Sequence, residues 1–235
     1  IADMLDYIPS AYYINHQAGA PGRNMAYRDT PEAQAWLPDN YGYDPEQAKE
    51  YFDAALAEVG ESSATIEFMI SDTSQNSKLI AEYLQAELPK IFGEDKFKLE
   101  IRFVPSANFS AIKDWKADPN SFEIASGGWA SSLSRIYPYT AYQWFRESYA
   151  SKPNSYTTER FEKAYAELNT EEMRMNPELM IQKTAELEQI FWEDVINVPI
   201  YQEYGYTMYQ DWFVPACPDY IAGFGFGNMF GDVIQ

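Results

Sequence analysis

One cysteine and one histidine occur in the 235 residues. Cys217 has no partner for an internal disulfide, and with only His16 beside it there is no Cys/His cluster for a structural zinc site. Redox pairing and zinc chemistry are therefore excluded. Cations are scarce too: 17 Lys and Arg face 36 Asp and Glu, leaving a formal charge of −19 that repels phosphate backbones and anionic headgroups. Nucleic acid is not an expected partner. No apolar run approaches the ~20 residues needed to cross a bilayer. The start IADMLDYIPS has neither an initiator Met nor a basic-then-apolar signal pattern, so the chain is expected to begin mid-protein or after processing. GxSxG, P-loop, strand-borne GxGxxG and HExxH motifs are all missing, and no cofactor is expected. Against these gaps stands 46% apolar and 17% aromatic content, which is enough for a core in one large domain or two small ones.

Residues 1–43 are rich in Pro, Gly, Asn and Tyr, and AGAPGRN at 18–24 breaks any period, so a short helix followed by irregular chain is expected there. Order begins at Asp44. Asp44 can cap a helix, Pro45 suits its first turn, Gln47 completes a capping-box pattern and Gly60 ends it. Ala48, Tyr51, Phe52, Ala55, Leu56 and Val59 form its apolar stripe. ATIEFMIS (64–71) reads as a strand. Leu79, Ile80, Tyr83, Leu84, Leu88 and Ile91 mark a second helix ending at Gly93, with Pro89 expected to distort its last turn. KLEIRFV (98–104) alternates, with Leu99, Ile101 and Phe103 on the inward face. After a helical stretch around 109–115, SFEIAS (121–126) is a third strand that exits into Gly127-Gly128-Trp129. The alternation of strand and helix predicts an α/β fold with a mainly parallel sheet flanked by helices.

Downstream come an aromatic stretch (Tyr137, Tyr139, Tyr142, Trp144, Phe145) and a helix burying Phe161, Tyr165 and Leu168. A longer helix opened by Asn176 and Pro177 carries Leu187, Ile190, Phe191 and Val195. NVPIYQEYGYTMY reads as extended, and the tail from Phe213 is too rich in Gly and Pro for regular helix.

Open α/β sheets bind ligands beyond the carboxyl ends of their strands, which makes Gly127-Gly128-Trp129 the leading candidate site. Glycines let a ligand approach the backbone and Trp129 offers a flat apolar wall; equally, the glycines permit a tight turn and Trp129 belongs to the core. The stretch YPYTAYQWF is a stacking platform or, as is commoner for such spacing, part of the core. His16 stands alone without catalytic partners. Glu171-Glu172 and Glu193-Asp194 invite a glycoside-hydrolase reading, since two carboxylates ~5 to 9 Å apart can act as acid and base. Adjacent helical residues diverge, however, and solvated faces are the simpler reading.

The order of these parts resembles the C-terminal lobe of oligopeptide- and dipeptide-type (family 5) solute-binding proteins of ABC importers. The resemblance runs from about Tyr41 onward, through YDPEQAKEYFDAALAEVG, SKLIAEYLQAEL before the alternating strand, the strand-to-GGW exit, and VPIY. It implies a type II periplasmic-binding-protein lobe without catalysis, one half of a clamp that closes on an oligopeptide or related solute and delivers it to a membrane permease. The N-terminal lobe of the same protein is then absent from this chain. Residues 44–200 would form the ligand-binding lobe. Residues 1–43 would run between lobes or cover one, and 201–235 would be an extended return segment and tail belonging to the other lobe or hinge. An extracytoplasmic location is implied, periplasmic or as a cell-surface lipoprotein; Cys217 is too far from the start to be the lipid anchor.

Ligand contacts are expected from Gly127, Gly128, Trp129, Ala130, Ser131 and Ser132. Peptide-binding members commonly carry, three residues after this Trp, an Asp that pairs with the peptide's α-amino group; here the position is Ser132. A hydroxyl accepts a hydrogen bond but supplies no charge, so blocked peptides, oligosaccharides or metal chelates stay open as ligands.

Overall fold

The computed structural model describes residues 27, 30–37, 43–113, 118, 120–128, 137–148, 156–198, 200, 208, 210–215, 220–221, 225–226 and 231–233. Packing divides the chain into two compact units: a sheet unit, residues 42–129 with 152–155, and a helical unit, residues 1–41, 130–151 and 156–235.

In the sheet unit, the caps predicted for the first long helix are in place. Helix α2 (Pro45–Val59; the shorter α1 belongs to the helical unit and follows below) starts where Asp44 accepts the Gln47 N–H at 2.9 Å. It ends at Gly60, whose φ of 77° lies in the left-handed region that only glycine enters at no cost. Its apolar stripe is narrower than predicted. Leu56 is buried and Ala48 and Phe52 are half-buried, whereas Tyr51, Ala55 and Val59 are exposed. The reason is packing: α2 leans mainly on helix α3 (Gln75–Phe92), with Phe52 also meeting the Phe97 ring at 5.6 Å, and this covers a narrow row of side chains.

Strand β1 (Ala64–Ser71) lies at the centre of a three-stranded sheet, parallel to β2 (Phe97–Val104) on one side and β3 (Ile124–Ala125) on the other. The register pairs Ile66 with Leu99 and Phe68 with Ile101, so the apolar residues of both strands share one face. Phe68, Ile70, Phe97 and Leu99 close over Ala81 of α3, with Ile80, Leu84, Leu88 and Phe92 packed around them. Each fully buried side chain of this size contributes ~1.5 to 3 kcal/mol. Pro89 does not stop α3, which continues to Phe92 before the Gly93 N–H bonds the Pro89 carbonyl at 2.8 Å. Phe103, predicted inward, is 52% exposed. The third strand is shorter than the predicted 121–126. Upstream of it the chain turns, with the Ser121 N–H on the Asp118 carbonyl at 3.1 Å, and Ile124 and Ala125 are the residues that pair in register with β1.

In the helical unit, helix α1 (Pro31–Ala35) is capped by Thr30 and packs against α7 (Pro177–Glu193). The aromatic stretch forms a 3₁₀ helix, Pro138–Phe145, whose Tyr139 and Tyr142 are fully buried; it is core, as its spacing favours. Helix α5 (Glu159–Leu168) buries Phe161, Tyr165 and Leu168, all three as predicted. A five-residue helix α6 (Glu171–Met175) leads into α7. Phe191 of α7 anchors the core, with its ring centroid 4.6 Å from Phe145, 5.2 Å from Tyr142 and 5.8 Å from Phe161. Tyr27 donates to the buried Glu188 carboxylate at 3.1 Å.

Val195 departs from the predicted helical face. Helix α7 stops before it: the Ile196 N–H bonds the Phe191 carbonyl at 3.2 Å and the Val195 N–H bonds Trp192 at 3.0 Å, the double bond pattern of a Schellman ending. Val195 takes the left-handed position with φ 51°. In the tail, β4 (Phe213–Pro215) pairs antiparallel with β7 (Gly231–Val233) and β5 (Tyr220–Ile221) with β6 (Gly225–Phe226). Most of NVPIYQEYGYTMY, like His16 and Cys217, lies outside the described residues.

Candidate functional site

All three strands of the sheet unit run the same way, so their carboxyl ends emerge along one edge. At the exit of β1, Asp72 joins two chain segments. Its N–H bonds the Val104 carbonyl at 2.9 Å, and its Oδ1 accepts the Ser106 N–H at 3.0 Å. Ser106 opens helix α4 (Ser106–Ile112), which has no side-chain cap of its own, so the Asp72 carboxylate satisfies one of that helix's first-turn N–H groups. Ser74 caps α3 in the same region, accepting from the Ser77 N–H at 3.3 Å and donating to the Ser77 hydroxyl at 2.8 Å. This edge is held by its own hydrogen bonds.

At the exit of β3, the Ser126 N–H extends the ladder by one bond to the Met69 carbonyl at 3.1 Å. The Ser126 carbonyl in turn accepts from the Lys113 ammonium at 3.1 Å, and that ammonium also lies 5.4 Å from the centre of the Phe109 ring. Lys113 sits at the carboxyl end of α4, where a cation is favoured. It therefore fixes the direction in which the chain leaves the sheet.

Immediately beyond, Gly127 and Gly128 are exposed. Neither has the positive φ found at Gly60 and Gly93, so a tight turn is not what requires glycine here. A Cβ at Gly127 would come 3.3 Å from Lys113 Nζ, the movable end of a side chain; at Gly128 it would meet nothing within 4 Å. Among the described residues the N–H and C=O groups of both glycines have no hydrogen-bond partner. Two consecutive peptide units at the mouth of a parallel sheet are thus open on their side-chain side and, among the described residues, unspent in hydrogen bonding, an arrangement suited to binding another main chain. Trp129, Ala130, Ser131 and Ser132 lie outside the described residues.

The carboxylate pairs behave differently. Glu171 and Glu172 are exposed on α6. Glu193 and Asp194 are both held by Arg160, at 2.9 Å for Glu193 and 2.7 Å from Nε to Asp194, and the Thr158 hydroxyl also donates to Asp194. The hydrogen-bonded Arg160 guanidinium, aided by Thr158, holds the Asp194 carboxyl below its ordinary range. A carboxylate so neutralised is a poor general acid. Lys113 and Asp72 were not readable as site residues. Lys113 depends on α4 ending at that point, and Asp72 on the approach of Ser106 from 34 residues away.

No curated protein matches the chain. Among solved structures it is similar to the substrate-binding domain of an oligopeptide ABC transporter from Bacillus anthracis str. Ames, at 20% identity and a TM-score of 0.60 over 83% of this chain and 35% of that one. It is similar to Listeria monocytogenes OppA bound to peptide, at 22% identity and a TM-score of 0.60 over 83% of this chain and 33% of that one. Haemophilus influenzae OppA, in complex with RPPGFSPFR, matches at 17% identity and a TM-score of 0.59 over 85% of this chain and 38% of that one. This chain thus spans little more than a third of the length of these proteins. At such identities the likeness speaks for the fold, which is the α/β fold of type II solute-binding proteins. The model of the family described as bacterial extracellular solute-binding proteins, family 5 (middle part) matches residues 8–152, starting well before the Tyr41 from which the resemblance was expected. That match takes in more than half of the chain, and the protein belongs to this family of extracellular solute-binding proteins.

Proposed function

We propose that the chain is the ligand-capturing part of a non-catalytic solute-binding protein that takes up an oligopeptide or related solute and hands it to the permease of an ABC importer. The observation that carries this reading is the pair of open peptide units at Gly127 and Gly128, at the carboxyl edge of the sheet, in a chain of this family. An extended ligand would bond these units through its own main chain, and the following residues Trp129 to Ser132 would supply packing and a hydroxyl. In the intact protein we assign residues 44–200 to the ligand-binding lobe, and 1–43 and 201–235 to segments that run between lobes or complete the other one. The packing of α1 on α7 ties part of the first segment to the helical unit. A periplasmic or lipid-anchored location follows from the same reading.

Gly128→Val tests it. The side chain enters open space and the backbone needs no left-handed φ, so folding stability should stay within ~0.5 kcal/mol, while the isopropyl group occupies the ligand's approach. Calorimetric titration with a peptide library should show affinity reduced at least ~10-fold. Unchanged affinity would move the ligand away from this edge. In the same titrations, Ser132→Asp should favour free-amine peptides over N-acetylated ones by ~1 to 3 kcal/mol, because a buried ammonium gains a charged partner; a wild-type preference for free amines would reject the reading of Ser132 as a lost anchor.

A further inference from the structure

The helical unit contains a cleft of about 310 Å³ that the proposed function does not use, with Tyr139, Gln143, Arg146, Tyr165, Asn169 and Arg174 among its walls. Two guanidinium groups reach it. Arg146 donates from Nε to Glu162 at 3.1 Å and lies 4.6 Å over the Tyr165 ring, which leaves its four Nη hydrogens without a bond among the described residues. Arg174 donates from Nη2 to the Asn169 side-chain oxygen at 2.9 Å and, weakly, from Nε to the Tyr139 hydroxyl at 3.5 Å. Both acceptors are neutral, and among the described residues no carboxylate lies within ion-pair distance of Arg174; Glu171 acts on it only through space.

A guanidinium has five donor hydrogens, so among the described residues seven of the ten carried by this pair have no partner, and both side chains line the cleft. Both charges act on the Tyr165 hydroxyl, which locates them around the same point, and burial keeps that phenol neutral, pushed up to about 12. In a chain of net charge −19, Arg174 stands beside neutral tyrosines and amides with no ion-pair partner among the described residues, while Arg146 shares its charge with Glu162, so the cleft keeps a local excess of positive charge. Planar guanidinium forks match the two oxygens of a carboxylate or phosphate, and the Tyr137–Tyr139 stack, with centroids 5.9 Å apart, gives a flat wall beside them. The volume exceeds that of an ion alone, since one water occupies ~30 Å³.

We infer that this cleft is a binding site for a small organic oxyanion, held between Arg146 and Arg174 with its body against the tyrosine wall, and separate from the strand-exit site. Phenyl phosphate, benzoate, inorganic phosphate and neutral benzamide are the probes, titrated by calorimetry into the protein and its Arg174→Gln and Arg160→Gln variants. Arg174 is exposed and its one bond to a buried residue, the Tyr139 hydroxyl, is long at 3.5 Å, so Arg174→Gln should fold; circular dichroism checks this. Saturable binding of phenyl phosphate or benzoate is expected, with benzamide not binding, a loss of at least ~10-fold in Arg174→Gln and no change in Arg160→Gln. Preference between phosphate ester and carboxylate identifies the head group. Absence of saturable binding by all three anions up to ~10 mM overturns the proposal, as does equal binding by wild type and Arg174→Gln. A second measurement is independent of folding in the variant: phenyl phosphate should shift the Arg146 and Arg174 Nε resonances of the wild-type protein and leave Arg160 unmoved, and the reverse pattern places the anion elsewhere.

Discussion

The two units enclose their apolar side chains to different degrees. In the helical unit, Phe161, Tyr165, Leu168, Leu187 and Phe191 converge with the 3₁₀ helix and are buried almost completely. In the sheet unit α3 covers one face of the strands, the opposite face buries Met69 and Val104 at its carboxyl end, and Tyr51, Val59, Leu79, Tyr83, Phe103 and Ile124 remain exposed. Both units are built from amphipathic helices of similar apolar pattern. The number of partners around each element therefore decides how much of a stripe is buried, because helix periodicity fixes only which residues share a face.

The largest expected effect tests the closed core. Phe191→Ala removes a ring that meets three others and should cost ~3 to 5 kcal/mol in denaturant unfolding, since neighbouring rings cannot collapse into the space. Leu99→Ala in the sheet core should cost ~2 to 4 kcal/mol, because losing an aliphatic side chain leaves a smaller cavity than losing a ring. A larger loss from Leu99 than from Phe191 would break the comparison.

Next comes alkaline pH. Burial raises the Tyr165 hydroxyl to about 12, against an ordinary value near 10. The folded state thus retains a proton that the unfolded chain releases, so this contribution is complete below pH ~10 and is lost as pH rises toward about 12. It amounts to at most ~2 to 3 kcal/mol. Unfolding midpoints followed between pH ~9 and ~12 should fall less steeply in Tyr165→Phe than in wild type; parallel slopes would show that the phenol ionises without opening the helical unit.

Helix ends were legible where a cap residue is followed by proline or the last turn by glycine. Asp44, Ser74, Thr158, Thr170 and Asn176 each accept a first-turn N–H, and Asp44-Pro45, Asn176-Pro177 and Gly60 announced their ends from sequence. The end of α7 was not legible, because Val195 occupies a position that glycine usually marks. Two helices close by a left-handed residue, one with Gly60 and one with Val195, and the second bears the steric cost of a β-branched side chain. Val195→Gly should therefore stabilise the chain by ~0.5 to 1 kcal/mol, strain relief exceeding the added freedom of the unfolded state. Thermal unfolding reads this directly, and destabilisation would mean that the valine packs despite being 64% exposed. The strand-exit site was half legible. The order of strands pointed to Gly127 and Gly128, whereas the Lys113 to Ser126 bond joins residues 13 apart through tertiary packing that no local pattern encodes.

The smallest effect is expected on the open side of the sheet unit. Tyr83 lies on α3 one turn from Leu79, both were predicted to face inward, and Tyr83 is 65% exposed. Truncating it forfeits little burial, and alanine is the better helix former by a few tenths of a kcal/mol. Tyr83→Ala should accordingly change stability by no more than ~0.5 kcal/mol in either direction, with Leu79→Ala close to it. Phe191→Ala would then exceed Tyr83→Ala severalfold although both remove an aromatic ring from a helix, and that ratio measures what enclosure adds. A cost above ~2 kcal/mol at Tyr83 would require a partner on this face, either another part of the protein or a second copy. Repeating the measurement over a range of protein concentration separates these two, since only a second copy makes the cost depend on concentration.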